Sequence, residues 1–182
     1  MTQRIPALTD DELSAEQCAA MDQMRGVWGT PWNIGRTMAN NPQIVRGFLG
    51  FWQAIDGSGL QPMDREVICF EMAAANGCHY CIPAHRAVAK SRGLDLAPLE
   101  RIAAGEALEG DDRPAILQRL VRRLVATKGA LDDAELDAAR QTFTNAELIA
   151  IVAEIAHCVF TNSLNRLAQT EIDPFLPRQP IA

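Results

Sequence analysis

The sequence predicts an all-α protein, a helical bundle built around a central buried pair of helices. Apolar residues recur at helical spacing along most of the chain, and helix-capping signals precede several of these stretches. No segment shows the sustained alternation of apolar and polar residues that marks a half-buried strand. With 182 residues, of which 48% are hydrophobic and 22% charged, the chain suits one globular domain with a substantial core. We therefore expect a single domain over residues 1–182.

Residues 1–40 are predicted to form an arm and a first helix. Ser14 and Gln17 have capping-box spacing, in which each side chain bonds the backbone of the other residue. The apolar spacing that follows predicts a helix that runs to about Arg25 before Gly26 and Gly29 stop it.

Two tryptophans, Trp28 and Trp32, are expected in the connector that follows, on either side of Pro31. Aromatic side chains at such a place either pack under a loop or at a contact between subunits, or they form the wall of a substrate pocket. The sequence leaves these interpretations open.

The segment 41–93 carries the strongest signals. Asn41 and Pro42 have the pattern of an N-cap followed by proline at the first helical position, and a glycine-rich turn at 57–59 ends the helix that they open. The next helix, at about 63–76, is apolar on nearly every face, as is typical of a helix at the centre of a bundle.

Two glutamates interrupt this apolar helix, and a buried carboxylate needs a partner or a proton. Glu66 and Glu71 are five residues apart, about 140° around the helix axis, so they should not share one environment. We expect a local hydrogen bond or ion pair to hold Glu71, and we expect Glu66 to face the neighbouring helix.

That neighbouring helix is placed by Pro83, because a proline ring clashes with the carbonyl four residues back. The helix should begin near Tyr80, after an Asn-Gly turn at 76–77, and should continue to about residue 93. Cys81 then lies in the first helical turn and Cys78 lies just outside it.

Residues 94–172 are predicted as the C-terminal helices and 173–182 as a tail. Capping residues or acidic starts mark four helices, at Asp95, Asp112, residue 132 and Thr144, and the last of these is long. Three arginines of the helix after Asp112 are expected on a solvated or intersubunit face: Arg119, Arg122 and Arg123.

Bulk properties exclude several classes of protein. A net charge of −6 argues against nucleic acid or an anionic membrane as the main partner. No apolar run approaches the ~20 residues that span a bilayer, and the acidic N-terminus has no hydrophobic leader. We therefore expect a cytoplasmic protein without a membrane partner.

The five cysteines lie at irregular spacing, which does not suggest a disulfide framework. Structural disulfides are rare in the cytoplasm, so a Cys-x-x-Cys pair in that compartment is redox-active or metal-binding.

The motif helix gathers reactive residue types. A thiol at a helix N-terminus feels the positive end of the dipole, which stabilises the thiolate of Cys81. His85 follows four residues later on the same helical face, and Glu66 reaches in from the packed neighbouring helix. Together with Cys78 as a second thiol, these residues supply a nucleophile, a base, an acid behind the base and a resolving group.

Zinc binding is the first alternative. Cys78, Cys81 and His85, with His79 or another residue, would supply four ligands of suitable type. A single Cys-x-x-Cys unit is a weak zinc signal, however, because structural sites usually carry two such pairs. We expect neither a metal nor another cofactor.

The remaining cysteines and histidines have simpler interpretations. Cys18 and Cys158 are expected to be small buried hydrophobic residues. Cys69 lies on the face of Glu66, so its role stays open. We expect His157 to satisfy a local hydrogen bond or ion pair, and His79 to lie at the surface on the rim of the site.

The pattern of this segment resembles a known signature. Glu66, eleven residues, Cys78-x-x-Cys81, three residues and His85 are similar to the motif of the AhpD-like alkylhydroperoxidases. That group is part of the carboxymuconolactone decarboxylase superfamily, and the sequence around the motif looks like its peroxidase-related branch. The close match covers roughly residues 41–93.

The resemblance implies an all-helical AhpD-like fold and a homo-oligomer, trimeric or hexameric. It implies thiol-dependent reduction of hydroperoxides, with Cys81 as the peroxidatic thiol and Cys78 as the resolving thiol. His85 would take the thiol proton and Glu66 would pass protons through water. An external dithiol, carried in the best-known members by a lipoyl-bearing protein, would reduce the resulting disulfide.

One position departs from the family pattern. Family members often carry histidine directly before the second cysteine, whereas this chain has Tyr80 there and His79 one place earlier. Three alternatives to a peroxidase stay open: a non-enzymatic redox sensor or disulfide-exchange module, a metal-binding protein, and a lactone decarboxylase-type lyase. The lyase fits least, because the decarboxylase members of the superfamily lack the cysteine pair.

Overall fold

The computed structural model describes residues 2–176, and the regular secondary structure of this part of the chain is helical, without strands. The prediction of an all-α fold is confirmed. The last residues of the predicted tail, 177–182, lie outside the described part. Within residues 2–176 the helices are α1 (Ala15–Trp28), α2 (Asn33–Met38), α3 (Pro42–Asp56), α4 (Pro62–Ala75), α5 (Cys81–Ser91), α6 (Ala97–Ala103), α7 (Arg113–Thr127), α8 (Asp133–Arg140) and α9 (Asn145–Ala168).

Most helix boundaries lie where the capping signals predict them. The side chains of Ser14 and Thr144 complete capping boxes at the starts of α1 and α9. Asn41 and Asp112 accept backbone hydrogen bonds at the starts of α3 and α7. Gly77 adopts a φ of +60°, which residues with side chains rarely adopt, and so permits the sharp turn from α4 towards α5.

The prediction for the N-terminal segment was wrong in two respects. Helix α1 continues through Gly26 to Trp28 and ends at Gly29, whose φ is +76°. An interior glycine costs a helix only about 1 kcal/mol, which packing of α1 on α3 offsets. The expected connector also contains the short helix α2, which has no side-chain cap and hence no strong sequence signal.

Helix α4 lies at the centre of the bundle, as its apolar faces predict. It packs against α5, α6, α7 and α9. One hydrophobic cluster joins α4 to α6, α7 and α9, and a second joins α1, α2 and α3 to the start of α5. The second cluster includes Cys78 and Cys81, so the motif lies where the two clusters meet.

Buried carboxylates on α4 are paired with arginines from α7. Arg113 binds Asp64, with a closest distance of 2.8 Å. Arg122 Nε donates to Glu71 Oε1 at 2.7 Å, and Gln118 donates to the other oxygen of the same carboxylate at 2.6 Å. Glu71 therefore has the local partner that the sequence predicted, whereas the expectation of a purely solvated or intersubunit face was wrong for Arg122.

Helix α9 is, within residues 2–176, the helix whose length and apolar composition match those of a membrane span. The sequence analysis expected no apolar segment near the length that spans a bilayer, and α9 is longer and more apolar than that expectation allowed. Glu154, Asn162 and Asn165 on α9 are buried inside the bundle. This burial is typical of a core helix, which passes the same composition test.

Candidate active site

A cavity of about 320 Å³ opens between α1, α3, α5 and α9, beside the motif. Cys81 and His85 from α5 line it, together with Glu66 and Cys69 from α4. Most of its other lining side chains are aromatic, charged or polar: Trp28, Trp32, Phe48, Trp52, Tyr80, Arg65, Arg92, Glu154, His157, Asn165, Ser91 and Thr161. Aliphatic side chains complete the wall: Val27, Ile34, Ala84 and Val88. The structure thus places three of the four predicted site residues on one cavity.

The two cysteines of the motif are joined by a disulfide bond, with their Cα atoms 5.4 Å apart. Cys81 is the first residue of α5, as Pro83 predicts, and Cys78 lies before the helix. The backbone N–H of Cys81 donates to Cys78 Sγ at 3.3 Å. The same N–H also donates to the carbonyl oxygen of Cys78 at 3.3 Å. The structure therefore shows the oxidised form of the pair, with one N–H of the helix start shared between sulfur and a carbonyl.

Two buried amides of α9 contact the sulfur of Cys81. Asn162 Nδ2 donates to Cys81 Sγ at 3.2 Å and Asn165 Nδ2 does so at 3.5 Å. Asn76 Nδ2 in turn donates to Asn162 Oδ1 at 2.9 Å, which fixes the orientation of that amide. Donors aimed at sulfur stabilise a thiolate more than a thiol, because the hydrogen bonds are then made to a charge.

His85 and Glu66 form the predicted pair. His85 Nδ1 lies 3.0 Å from Glu66 Oε2, and the carboxylate is almost fully buried. The imidazole is 27% exposed and faces the cavity. Among the described residues, the hydrogen bonds to Cys81 Sγ come from the α9 amides and not from His85.

The environment of His85 favours the imidazolium ion. Burial by itself would lower the pKa of His85, but the neighbouring Cys69 sulfur and the Glu66 carboxylate outweigh it and raise the pKa well above its ordinary value. The Glu66 charge is the cause that persists when Cys69 is a neutral thiol. These contacts make His85 a stronger base than an isolated imidazole, suited to take up the proton of the Cys81 thiol once the disulfide is reduced.

A second polar cluster lies deeper in the same cavity. Arg65 Nε donates to Glu154 Oε2 at 2.7 Å, and Arg65 also pairs with Asp56. His157 Nδ1 lies 3.1 Å from Glu154 Oε1, but the geometry does not make a hydrogen bond, so this contact is electrostatic. Burial would raise the pKa of Glu154, but His157 and Arg65 lower it to about 2.

Cys69 and Cys158 meet beside this cluster. Their sulfur atoms are 3.6 Å apart, and Cys69 Sγ also lies 3.6 Å from Glu154 Oε1. Contact with Cys158 and burial raise the pKa of Cys69 well above its ordinary value, so it is a neutral thiol near pH 7. Cys158 is buried as predicted, whereas the expectation for Cys18 was wrong, because that residue is partly exposed.

His79 and Tyr80 have different surroundings. His79 is exposed, as predicted, and its Nε2 lies 2.8 Å from the carbonyl oxygen of Thr170, but it does not line the cavity. Tyr80 is buried and donates from its hydroxyl to Asp173, which also accepts from the backbone N–H of Asn33. Tyr80 thus ties the motif to α2 and to the segment after α9.

The tryptophans of the N-terminal segment line the cavity. Trp28 packs edge-on against Phe48 and Trp52, with ring centroids 5.6 and 6.3 Å away. Trp32 contributes a further aromatic face. The geometry supports both packing and a pocket wall, since these side chains pack against neighbouring rings and also line the cavity.

A zinc site made by the motif, the first alternative that the sequence left open, does not match the disulfide-bonded form of the protein. The sulfur atoms of Cys78 and Cys81 bind each other, and His79 contacts a carbonyl instead. Within residues 2–176, ligand-type side chains gather instead at Cys69, Glu154 and Cys158, whose ligand atoms lie within 4.8 Å of one another.

Sequence reasoning missed the part of the site that α9 contributes. Polar residues within an apolar helix were the available signal, since Glu154, Asn162 and Asn165 interrupt the apolar positions of α9. Arg65 gives the same signal, because it is a charged residue within the largely apolar helix α4. The sequence does not show which buried polar groups meet, because that depends on how α4 and α9 pack.

Comparison with known proteins gives a family match over part of the chain. Residues 42–113 match the carboxymuconolactone decarboxylase family. This range includes α3 to α6 and the whole motif. None of the curated proteins matches the chain.

Solved structures share the fold over most of the chain. The alkylhydroperoxidase AhpD core of an uncharacterised peroxidase-related protein from Ralstonia eutropha JMP134 is 21% identical, with a TM-score of 0.80 over 94% of this chain and 93% of that one. A peroxidase-related protein from Silicibacter sp. TM1040 is 17% identical, with a TM-score of 0.77 over 93% and 90%. A variant of the debrominase Bmp8 in complex with 2,3,4-tribromopyrrole is 18% identical, with a TM-score of 0.73 over 96% and 94%.

Proposed function

We propose that this chain is a thiol-dependent hydroperoxide reductase. Its AhpD-like fold and its match to the carboxymuconolactone decarboxylase family support this proposal, because they identify it as an AhpD-like member of that superfamily. The observation that carries the proposal is the bonded pair Cys78–Cys81 beside a cavity that also holds His85 and Glu66. A redox-active pair, an acid–base pair and a space for substrate lie together at one place.

The reaction begins with reduction of the Cys78–Cys81 disulfide by an external dithiol, which is oxidised to its own disulfide. The Cys81 thiolate then attacks the distal oxygen of the hydroperoxide. The O–O bond breaks, an alcohol leaves with one proton, and Cys81 becomes a sulfenic acid. Cys78 attacks that sulfur, the disulfide forms again and water is released.

The proton steps are assigned to His85 and Glu66. His85 accepts the proton of the Cys81 thiol and returns it to the departing alkoxide, directly or through water. Glu66 stabilises the imidazolium between these two events, since its carboxylate lies 3.0 Å from His85 Nδ1. His79 has no part in this scheme, because it does not line the cavity and its Nε2 contacts the carbonyl oxygen of Thr170.

Asn162 and Asn165 support the nucleophile. Both direct their Nδ2 groups at Cys81 Sγ, which lowers the energy of the thiolate before attack. Asn165 Oδ1 is buried, has no hydrogen-bond partner among residues 2–176, and belongs to a residue that lines the cavity. We assign it the O–H of the hydroperoxide, which would place the distal oxygen towards the sulfur.

The proposed partners follow from this chemistry. The substrate is a small hydroperoxide, and the reductant is a dithiol, for which the lipoyl group of a carrier protein has suitable chemistry. The direct test is consumption of an alkyl hydroperoxide by the reduced protein with a dithiol donor. A pair that oxidises readily but does not turn over would instead support a redox sensor or disulfide-exchange module.

A second candidate activity is thiol-dependent removal of a halogen from a small aromatic ring. The tryptophan-lined cavity favours aromatic ligands, and a debrominase has the same fold. In that reaction two thiols would be oxidised to a disulfide while the carbon–halogen bond became carbon–hydrogen and hydrogen halide was released. Halide release with a dithiol donor, measured beside peroxide consumption, distinguishes the two activities.

We also propose that the protein is a homo-oligomer, with α9 at the contact. Large apolar side chains follow one exposed face of α9 at helical spacing: Ile149, Val152, Val159, Phe160 and Leu167. Ile149 is 73% exposed and Leu167 is 63% exposed in the single chain. A continuous apolar stripe of this kind is typical of a surface that a second protein copy covers.

Charged residues on this stripe should disrupt the assembly. Replacing both Ile149 and Leu167 by glutamate should raise the dissociation constant at least about tenfold, because each carboxylate would have to be buried at the contact. Sedimentation or light scattering would report the mass. Val125→Glu, at an exposed apolar position on α7, is the control and should leave the mass unchanged. A trimer or hexamer that persists in the double variant would rule out this surface.

A further inference from the structure

Two thiols outside the motif lie in contact between the two central helices. Cys69 of α4 and Cys158 of α9 are both almost fully buried, and their sulfur atoms are 3.6 Å apart. Cys69 also lines the cavity that contains Cys81 and His85, whereas Cys158 lies behind it. The reaction assigned to the motif uses neither thiol.

We propose that Cys69 and Cys158 form a second redox couple, which closes to a disulfide when hydroperoxide persists in the cavity. The inference takes its oxidant from the proposed function, since the same cavity admits the hydroperoxide. The new element is a pair of thiols of which one is reached by the oxidant and the other is placed to resolve it.

The chemistry balances in two steps. Cys69 attacks the distal oxygen of the hydroperoxide, the O–O bond breaks, and the thiol proton leaves with the alkoxide as an alcohol. The Cys158 thiol then attacks the sulfenic sulfur of Cys69, forming the S–S bond and releasing water. One hydroperoxide is reduced by two electrons and two thiols become one disulfide.

The geometry permits the closure. The two sulfur atoms are 3.6 Å apart and a disulfide has an S–S distance of about 2.05 Å, so closure requires them to approach by roughly 1.5 Å. The contact of Cys69 with Glu154 Oε1, at 3.6 Å, is the long contact of a weak thiol donor and does not hold the sulfur in place.

The order of oxidation follows from charge. Cys81 receives amide donors and lines the same cavity as His85, whereas the pKa of Cys69 is raised by Cys158 and by burial. Because the thiolate is the nucleophile, Cys69 reacts more slowly than Cys81. The second couple therefore closes after the motif pair, under sustained oxidation, and then links α4 to α9 covalently.

The test uses a protein in which the proposed activity is absent. The double variant Cys78→Ser/Cys81→Ser is reduced, freed of metal with a chelator and treated with an alkyl hydroperoxide, and its non-reduced peptides are mapped by mass spectrometry. We expect a peptide that joins Cys69 to Cys158, and a rise of roughly 5–10 °C in the unfolding midpoint. Cys18→Ala is the matched control and should leave the link unchanged.

Cys158→Ala in the same background should abolish the link and leave Cys69 as a sulfenic or sulfinic acid. Wild-type protein oxidised for longer and mapped in the same way provides a second test if the double variant folds poorly. Cys69 and Cys158 thiols that stay reduced in both proteins would overturn the proposal. So would a stoichiometric metal ion held by Cys69, Glu154 and Cys158 in the purified protein, because it would occupy both sulfur atoms. Failure of peroxide turnover in the wild type, with the link still formed, would count against the proposed function alone.

Discussion

Replacing Cys81 by serine should reduce hydroperoxide turnover by at least about a thousandfold while the helical fold is retained. A hydroxyl has almost the volume of the thiol but is a far weaker nucleophile, and it cannot form a sulfenic acid. Cys81 is buried at the first residue of α5, where the two α9 amides reach its sulfur. Steady-state consumption of an alkyl hydroperoxide with a dithiol donor measures the loss.

Two further variants make this result specific. Without the dithiol donor, Cys78→Ser should consume about one equivalent of hydroperoxide and then stop, because Cys81 is oxidised to a sulfenic acid that no second motif thiol resolves. Cys18→Ser, at a partly exposed thiol remote from the cavity, should keep the wild-type rate. A Cys81→Ser protein that consumes hydroperoxide at the wild-type rate would remove Cys81 from its assigned role.

Replacing Arg65 by methionine should lower the free energy of unfolding by about 3–5 kcal/mol. The variant leaves the carboxylate of Glu154, which is 0% exposed, without its cation. Methionine preserves most of the packing against Trp52, over whose ring the guanidinium lies at 5.2 Å. Denaturant unfolding, followed by circular dichroism, measures the change.

The double variant Arg65→Met/Glu154→Gln is the control for this effect. It removes both charges, so it should recover a substantial part of the lost stability. If Arg65→Met alone costs less than about 1 kcal/mol, the pair is not the compensated buried charge inferred from its geometry.

Acid should weaken the same contact in the wild type. The pKa of Glu154 is lowered from 4.5 to about 2 in the folded protein, so the unfolded chain takes up the proton first. The contribution is therefore present above pH 4.5 and is lost as the pH falls towards 2. It amounts to about 3 kcal/mol. Wild-type stability should thus fall more steeply over this range than that of Glu154→Gln.

Local sequence signals predicted much of the fold. Capping residues such as Ser14 and Thr144 act within one turn of chain, so the helix starts follow directly from the sequence. Pro83 likewise places Cys81 at the start of α5. The short α2 was missed because six residues without a cap give no such signal.

The candidate site was predictable only where its residues are close in sequence or belong to one motif. His85 and Glu66 were paired from helical spacing and the family pattern, and their contact is present. Asn162 and Asn165 could not be paired with Cys81, because the contact depends on the position of α9 across the bundle. The roles assigned to all of these residues stay predictions until they are measured.

In the proposed mechanism, His85 and its carboxylate partner hold Cys81 as a reactive thiolate. The rate at which an alkylating reagent modifies Cys81, measured from pH 5 to 9 in a Cys78→Ser background, reports the thiolate fraction directly. We predict rapid modification near neutral pH, a fall of roughly tenfold or more at pH 7 in His85→Ala, and a smaller fall in Glu66→Gln. A pH profile that neither substitution alters would contradict the assigned relay.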